Sequence, residues 1–170
     1  MGSNLVIAHG GGPTPVLNAS LAGVVRFARR EPTIHRVYGA RHGVAGILNN
    51  DFVDLSHLAE PELDRLARTP GSALGNSSRE VTEAELGTIA ERLEELGAGI
   101  FLYTGGNASI RLCLKLSEVA SWLRVLGLPH AIENDVPRTD HSLGYASTAR
   151  YYAARTHELA LDVTALGSQV

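Results

Sequence analysis

Residues 4–25 read NLVIAHGGGPTPVLNASLAGVV, and the architecture of the chain follows from how that stretch is parsed. Its apolar run, residues 5–8, has the length of a buried strand and breaks at Gly10, Gly11 and Gly12. Leu21, Val24, Val25 and Ala28 then recur at helical spacing, with Arg26, Arg29 and Arg30 left for water or the helix C-terminus, and Asn18 is the expected cap. A strand, a glycine turn and a helix make the first half of an α/β unit.

The same order returns downstream. Residues 34–38 read as a second strand, followed by GARHGVAG, whose Gly39, Gly43 and Gly46 predict a flexible loop. Ser56 is the expected cap of a short helix carrying Leu58, Leu63 and Leu66, with Pro61 in its first turns. TPGSALGNSSR, residues 69–79, is a loop of small residues closed by Arg79, which suits either a solvated surface or a clamp on phosphate. Thr82 and Glu85 form a capping box that opens a helix with Leu86, Ile89, Leu93 and Leu96 on one side, stopped by Gly97. Residues 99–103 are a third strand running into TGGNAS. A long helix is expected next, carrying Ile110, Leu114, Val119, Leu123 and Leu126 to a stop at Gly127, with Trp122 in the core. Residues 129–132 make a short fourth strand, and a last helix starts near Gly144 and runs through Tyr151, Ala154 and Leu159.

This alternation predicts an α/β three-layer sandwich with a mostly parallel sheet. In such sheets ligands bind outside the carboxyl ends of the strands. The rule gathers GGGPTPVLN, GARHGVAG, TGGNAS and the loop after the fourth strand at one edge. That last loop lies in LPHAIENDVPRTDHSLGY, residues 128–145, where Glu133, Asp135 and Asp140 follow an apolar run and Pro129 and Pro137 oppose helix. Acidic groups there suit a general base or a divalent cation, or simply a solvated loop. The glycine turns suit anions, because free amides and the helix dipole favour negative charge. They carry no Walker lysine and do not fit GxGxxG.

Composition narrows the function classes. A net charge of −3 disfavours nucleic acid as a partner, since binding needs a basic face to displace counterions from phosphates. The hydrophobic fraction of 44% suits a globule, and its apolar runs stop short of the ~20 residues a membrane span needs. Without a basic leader ahead of an apolar stretch, a cytoplasmic location is expected. Cys113, the single cysteine, reads as a small core residue. His9, His35, His42, His57 and His157 show no metal-ligand spacing and default to structural or exposed roles.

Taken in order, GGGPTPVLNASLAGVVR, GARHGVAGIL, GSALGNSSR, YTGGNASI and GLPHAIENDVPRTDHSLGYASTAR resemble the N-terminal half of the 6-phosphofructokinase family. The resemblance implies a phosphofructokinase-like fold, with residues 1–150 as a donor-binding domain and 151–170 beginning a second lobe. It implies a kinase of glycolysis that moves a phosphoryl group from ATP or pyrophosphate to the 6-hydroxyl of fructose 6-phosphate, with Mg²⁺, in a homo-oligomer. By the same resemblance Gly12, Arg79, Gly106, Asn107, Ala108 and Ser109 contact the donor. Ala131, Ile132 and Glu133 then contact the sugar, Glu133 and Asp135 are catalytic, and Asn107 and Asp135 fall at the metal.

The motifs also depart from the family. PHAIEND stands where PKTIDND or PGTIDND is usual, so Glu133 replaces an aspartate base and Ala131 a threonine hydroxyl. The added methylene moves the carboxylate by about a bond length, in a geometry that tolerates little displacement. GGNAS stands where relatives have GGDGS, GGDD or GGNDS, and a neutral amide holds Mg²⁺ less well than a carboxylate. Pyrophosphate users tend to have Asp at the position of Ala108 and Lys at that of His130, so the departures lean toward ATP or toward no transfer. Ala22 replaces an effector-site arginine. Family members also continue past this length, which leaves the segment after Tyr151 as an expected apolar surface. The departures leave two further readings open: a non-catalytic phosphate- or nucleotide-binding homologue acting as an assembly subunit, and a relative acting on another sugar phosphate.

Overall fold

The computed structural model describes residues 3–167. Five strands form one sheet in the order β3-β2-β1-β4-β5, built from β1 (Ser3–His9), β2 (Ile34–Ala40), β3 (Phe52–Asp54), β4 (Ala98–Gly105) and β5 (Arg124–Pro129). All neighbours are parallel except β2 and β3. Because β1 lies at the centre, its side chains alternate between two buried faces. Leu5 and Ile7 join Leu21, Val25 and Leu63, from α1 (Leu17–Ala28) and α3 (Glu60–Arg68). Val6 and Ala8 join Ile47, Ile89 and Leu116, from α2 (Val44–Leu48), α4 (Glu83–Glu95) and α5 (Asn107–Val119). The expected three layers and mostly parallel sheet are therefore present.

Several local expectations are corrected. Asn18 does not cap α1. It lies buried in the first turn, where it donates to Thr69 O at 2.9 Å and accepts from Ala73 N at 2.7 Å, tying the helix to residues 69–79. Ser56 does not cap α3, whose N-cap is Ala59; its Oγ accepts from Val37 N at 3.0 Å instead. GARHGVAG is not a flexible loop. Gly39 belongs to β2, where a Cβ would meet Leu74, and Gly46 belongs to α2, where one would meet the Arg41 carbonyl. The short antiparallel β3 was not anticipated from the sequence.

The helix expected to reach Leu126 stops at Val119. Residues 124–129 form β5, so the fourth parallel strand begins earlier than residues 129–132. The apolar spacing of Val119, Trp122, Leu123 and Leu126 fits helix, yet pairing Arg124–Pro129 with Ile100–Gly105 completes the sheet edge. Trp122 consequently sits in the turn and is 44% exposed, outside the core. Ser109, Cys113 and Leu116 form the buried stripe of α5, while Leu114 and Val119 face outward. Cys113 is buried as expected, and burial pushes its thiol up to about 12. The capping box of α4 is present, with Thr82 Oγ1 accepting from Glu85 N and Glu85 Oε2 accepting from Thr82 N.

The last helix, α6 (Tyr145–Leu166), begins at Gly144 as expected and contains no buried residue. Tyr151, Tyr152, Leu159 and Leu161 are exposed along it, in keeping with the apolar surface expected after Tyr151. Residues 168–170, the end of the proposed second-lobe segment, lie outside the described residues.

Candidate functional site

The order of strands switches sides at β1: the parallel neighbours β2 and β4 lie on opposite sides of it. The loops leaving β1 and β4 diverge, opening the crevice where α/β folds bind ligands. A cavity of about 370 Å³ occupies this crevice, lined by Gly11, Gly12 and Thr14, by Gly106, Asn107, Ala108 and Ser109, and by Ala131, Ile132, Glu133 and Asp135. The first glycine turn, the second glycine turn and the acidic loop thus converge, as the sequence predicts. GARHGVAG reaches the same edge, but its Arg41 and His42 line a different, larger cavity of about 770 Å³ with apolar walls from Leu21, Leu55, Leu58 and Leu66. That larger space contains neither glycine turn nor acidic loop, so the smaller crevice is the candidate site.

Close packing makes both glycine turns obligatory. At Gly10 a Cβ would meet Ser109 Oγ and the Tyr103 ring, and at Gly105, with φ +143°, one would meet the Ser109 side chain. Gly12 differs: a Cβ there would meet nothing within 4 Å and would project into open space. Gly11 N donates to Ser77 O at 3.1 Å, and Asn76 Nδ2 donates to Gly10 O and Gly11 O at 3.2 Å. The first turn is therefore held from below by residues 69–79. Gly12 N has no protein acceptor among the described residues. The opening amides of α5 also lack intrahelical acceptors, and its N-cap, Gly106, supplies no side chain to cover them. Together these amides, without acceptors in the chain, suit an anion.

The acidic loop is shaped by its own residues. Leu143 N returns to Pro129 O at 2.9 Å, closing residues 130–142 into a compact loop. Asn134 takes a left-handed φ of +56° and accepts from Ser142 N at 2.7 Å, while Glu133 and Asp135 stay exposed on either side of it. Asn107 Nδ2 donates to Asp135 Oδ2 at 3.0 Å, so the second glycine turn steers this carboxylate directly. Asp140, the third acidic residue, does not line the cavity.

Arg79 lies in an adjoining cavity of about 340 Å³ with Arg111 and Lys115, and its guanidinium is paired with Glu85. No cluster of three or more His, Cys, Asp or Glu side chains able to hold a metal is present among the described residues. Asp135 is the single carboxylate at the metal position implied by the resemblance, beside the neutral Asn107. Such a donor set fits Mg²⁺ shared with phosphate oxygens, since this ion commonly takes one or two carboxylates plus substrate phosphates.

His130, which the sequence singled out only as a departure from a family lysine, is a buried structural contact beside the crevice. It is 3% exposed, with Nδ1 3.3 Å from Thr14 Oγ1 and Nε2 3.0 Å from Ser20 Oγ, so it braces the first glycine turn and α1 against the acidic loop. His9 is buried nearby and hydrogen-bonded through Nδ1 to Ser72 Oγ at 2.7 Å. Burial lowers both imidazoles to about 4, and in His9 the His130 charge adds to the effect. Asn76, which holds the first turn, and Arg111 and Lys115, which line the cavity beside Arg79, were also not singled out from the sequence. The spacing of Arg111 and Lys115 on the helix leaving TGGNAS was the available signal.

Comparison with known proteins agrees with this geometry. The family model described as phosphofructokinase matches residues 4–169. The pyrophosphate–fructose 6-phosphate 1-phosphotransferase of Rhodospirillum rubrum is 37% identical, over 95% of this chain and 41% of the relative. An ATP-dependent 6-phosphofructokinase of Staphylococcus aureus is 32% identical, over 83% of this chain and 43% of the relative. The solved pyrophosphate-dependent phosphofructokinase of Nitrosospira multiformis superposes with a TM-score of 0.91 at 32% identity, covering 98% of this chain and 43% of that one. The chain thus spans about two fifths of the length of these relatives. A sequence match running from residue 4 to residue 169, on a fold that superposes on a solved member, means that the chain belongs to the phosphofructokinase family.

Proposed function

We propose that the chain is the donor-binding part of a sugar-phosphate kinase that transfers a phosphoryl group from ATP or pyrophosphate to fructose 6-phosphate. One detail of the sequence expectation is corrected. The oxygen on C6 of fructose 6-phosphate already carries phosphate, and the name of the Rhodospirillum relative specifies a 1-phosphotransferase. The acceptor is therefore the hydroxyl on C1.

The observation that carries the reading is the shared crevice of Gly12, Asn107 and Glu133. Phosphoryl transfer is mostly positioning and charge stabilisation, so it needs an anion cradle facing a carboxylate. Gly12 N and the first amides of α5 hold the donor phosphates. Glu133 takes the proton from the attacking hydroxyl, with Ala131 and Ile132 bordering the sugar, and Asp135, oriented by Asn107, faces the metal position. Mg²⁺, when bound with the donor, neutralises charge on the phosphate oxygens. Residues 1–150 form the donor domain and residues 151–170 lead into a second lobe of a cytoplasmic homo-oligomer.

The test is a coupled ADP- or phosphate-release assay with Mg²⁺, ATP or pyrophosphate and fructose 6-phosphate. Turnover that disappears in Glu133→Gln is the expected result, whereas no turnover with either donor rejects the kinase. The Asn107 side chain at the metal position, bonded to Asp135, favours one other reading: a phosphate- or nucleotide-binding homologue without turnover, acting as an assembly subunit. It predicts donor binding by calorimetry with an empty assay.

A further inference from the structure

Helix α6 runs for 22 residues without burying one, so the chain's own fold gives its apolar side chains no partner. Those side chains are ordered. Tyr145, Tyr152, Leu159 and Leu166 recur every seven residues, and Ala149, Thr156 and Val163 recur every seven from a start four positions on. Steps of four and three along one side of a helix make the seam of a two-stranded coiled coil. Tyr152, Leu159 and Leu166 are 61%, 62% and 58% exposed, so this seam faces solvent along its length. Of the other large apolar side chains, Tyr151 lies off the seam under the Arg155 guanidinium at 5.6 Å, and Leu161 lies on the opposite side of the helix.

The composition of the seam selects a second copy of α6, running antiparallel. In a parallel pair each seam position meets itself, so Ala149 faces Ala149 and Tyr152 faces Tyr152, which alternates gaps with bulges. Antiparallel, the two rows of the seam face each other. The layers become Ala149 with Leu166, Tyr152 with Val163 and Thr156 with Leu159, each formed twice about a two-fold axis. Every layer joins a larger side chain to a smaller one.

The flanks of the seam agree with that register. On one flank Ala146, Ala153 and Ala160 are again seven apart, and Ala153 comes opposite Ala160 of the second copy, which lets the backbones approach. On the other flank Arg155 comes opposite Asp162 of the second copy, and this pair also forms twice. A parallel pair sets Arg155 against Ala160 instead. Asp162 has no ion-pair partner among the described residues. Arg155 is paired only with Glu158 of its own helix, at 2.7 Å, in an exposed contact of the kind that holds a side chain weakly. Because α6 leaves the body of the molecule at Gly144, antiparallel pairing also sets the two bodies at opposite ends.

We propose that α6 is a dimerisation helix, which pairs with α6 of a second copy as an antiparallel coiled coil in the register that joins Arg155 to Asp162. This deepens the homo-oligomer part of the reading above by naming a surface for it. No residue of α6 lines the candidate crevice, so the pairing does not depend on turnover or donor binding.

Sedimentation of the 170-residue chain over a concentration series tests it, beside the charge reversals Arg155→Asp and Asp162→Arg. The unaltered chain is expected to pass from monomer to dimer. Either reversal alone sets like charges opposite each other twice and is expected to weaken association at least about tenfold. Mixed in equal amounts, the two variants form a heterodimer in which both facing pairs are again of opposite sign, and association returns toward that of the unaltered chain. Both positions are exposed, and circular dichroism verifies that each variant keeps its helix. Amide exchange gives a second readout. It is fast in α6 of the monomer, and protection of Tyr145–Leu166 should rise with protein concentration as the dimer forms. A chain that stays monomeric overturns the proposal. A dimer that both reversals leave intact overturns it in favour of another surface, such as the open edge of β5, and a mixture that remains dissociated overturns the register. A dimer that behaves as expected in a protein with an empty kinase assay supports the proposal and rejects only the kinase.

Discussion

Two glycines of the site illustrate opposite constraints. Gly105 combines a left-handed φ with a backbone path too close to Ser109 for any Cβ, so Gly105→Ala is expected to cost on the order of 2–3 kcal/mol in urea unfolding. Gly12 has space, and that space is the cavity. Gly12→Val is accordingly expected to leave the unfolding midpoint nearly unchanged while weakening pyrophosphate binding at least about tenfold, read by calorimetry. The buried histidines add a pH dependence. His9 and His130 titrate near 4 in the fold against 6.5 for a free imidazole, so the unfolded chain binds more protons between those values. Their contribution is present in full above pH 6.5 and is lost as pH falls toward 4, on the order of 3 kcal/mol for His9. Thermal unfolding across that window should show the decline, and His9→Gln should flatten it.

Among the elements, α4 and α5 differ in how their N-termini are satisfied. Thr82 and Glu85 close the start of α4 within the chain, so Thr82→Ala is expected to cost about 1 kcal/mol of stability without altering ligand affinity. The start of α5 has no such side chain, since Gly106 precedes it, and its first amides are left without a cap. The sequence contrast is legible directly: a box of Thr and Glu marks one terminus as self-contained, and a glycine pair marks the other as open. Arg26 shows a further role for element pairing. Its guanidinium spans from α1 to Glu60 and Asp64 of α3, fastening the two helices that cover one sheet face.

At the level of the molecule, burial is concentrated in the sheet and its five covering helices, and α6 shares none of it. A helix without tertiary packing is marginal however regular its sequence. Amide hydrogen exchange is therefore expected to be fast through Tyr145–Leu166 and slowest in β1 and β4, where the central ladder is buried on both faces. Equal protection in α6 and β1 would contradict this distribution.

Local pattern was enough for the parts that depend on neighbours along the chain. The apolar run before Gly10, the capping box at Thr82, the stops at Gly97 and the start at Gly144 all arise from short-range sterics and hydrogen bonding. The order of those elements also placed Gly12, Asn107 and Glu133 at one sheet edge, because parallel crossovers leave few topologies. Where an element joined the sheet or closed over another segment, short-range preference lost. Residues 124–129 became a strand because β4 offered an unpaired edge, and Trp122 was expelled from the core as a result. Asn18 turned from capping its helix to bonding residues 69 and 73, and His130 became a brace because Thr14 and Ser20, more than a hundred positions away, meet it in the folded chain. Such contacts pair groups far apart in sequence, and only the completed packing of the sheet and helices specifies them.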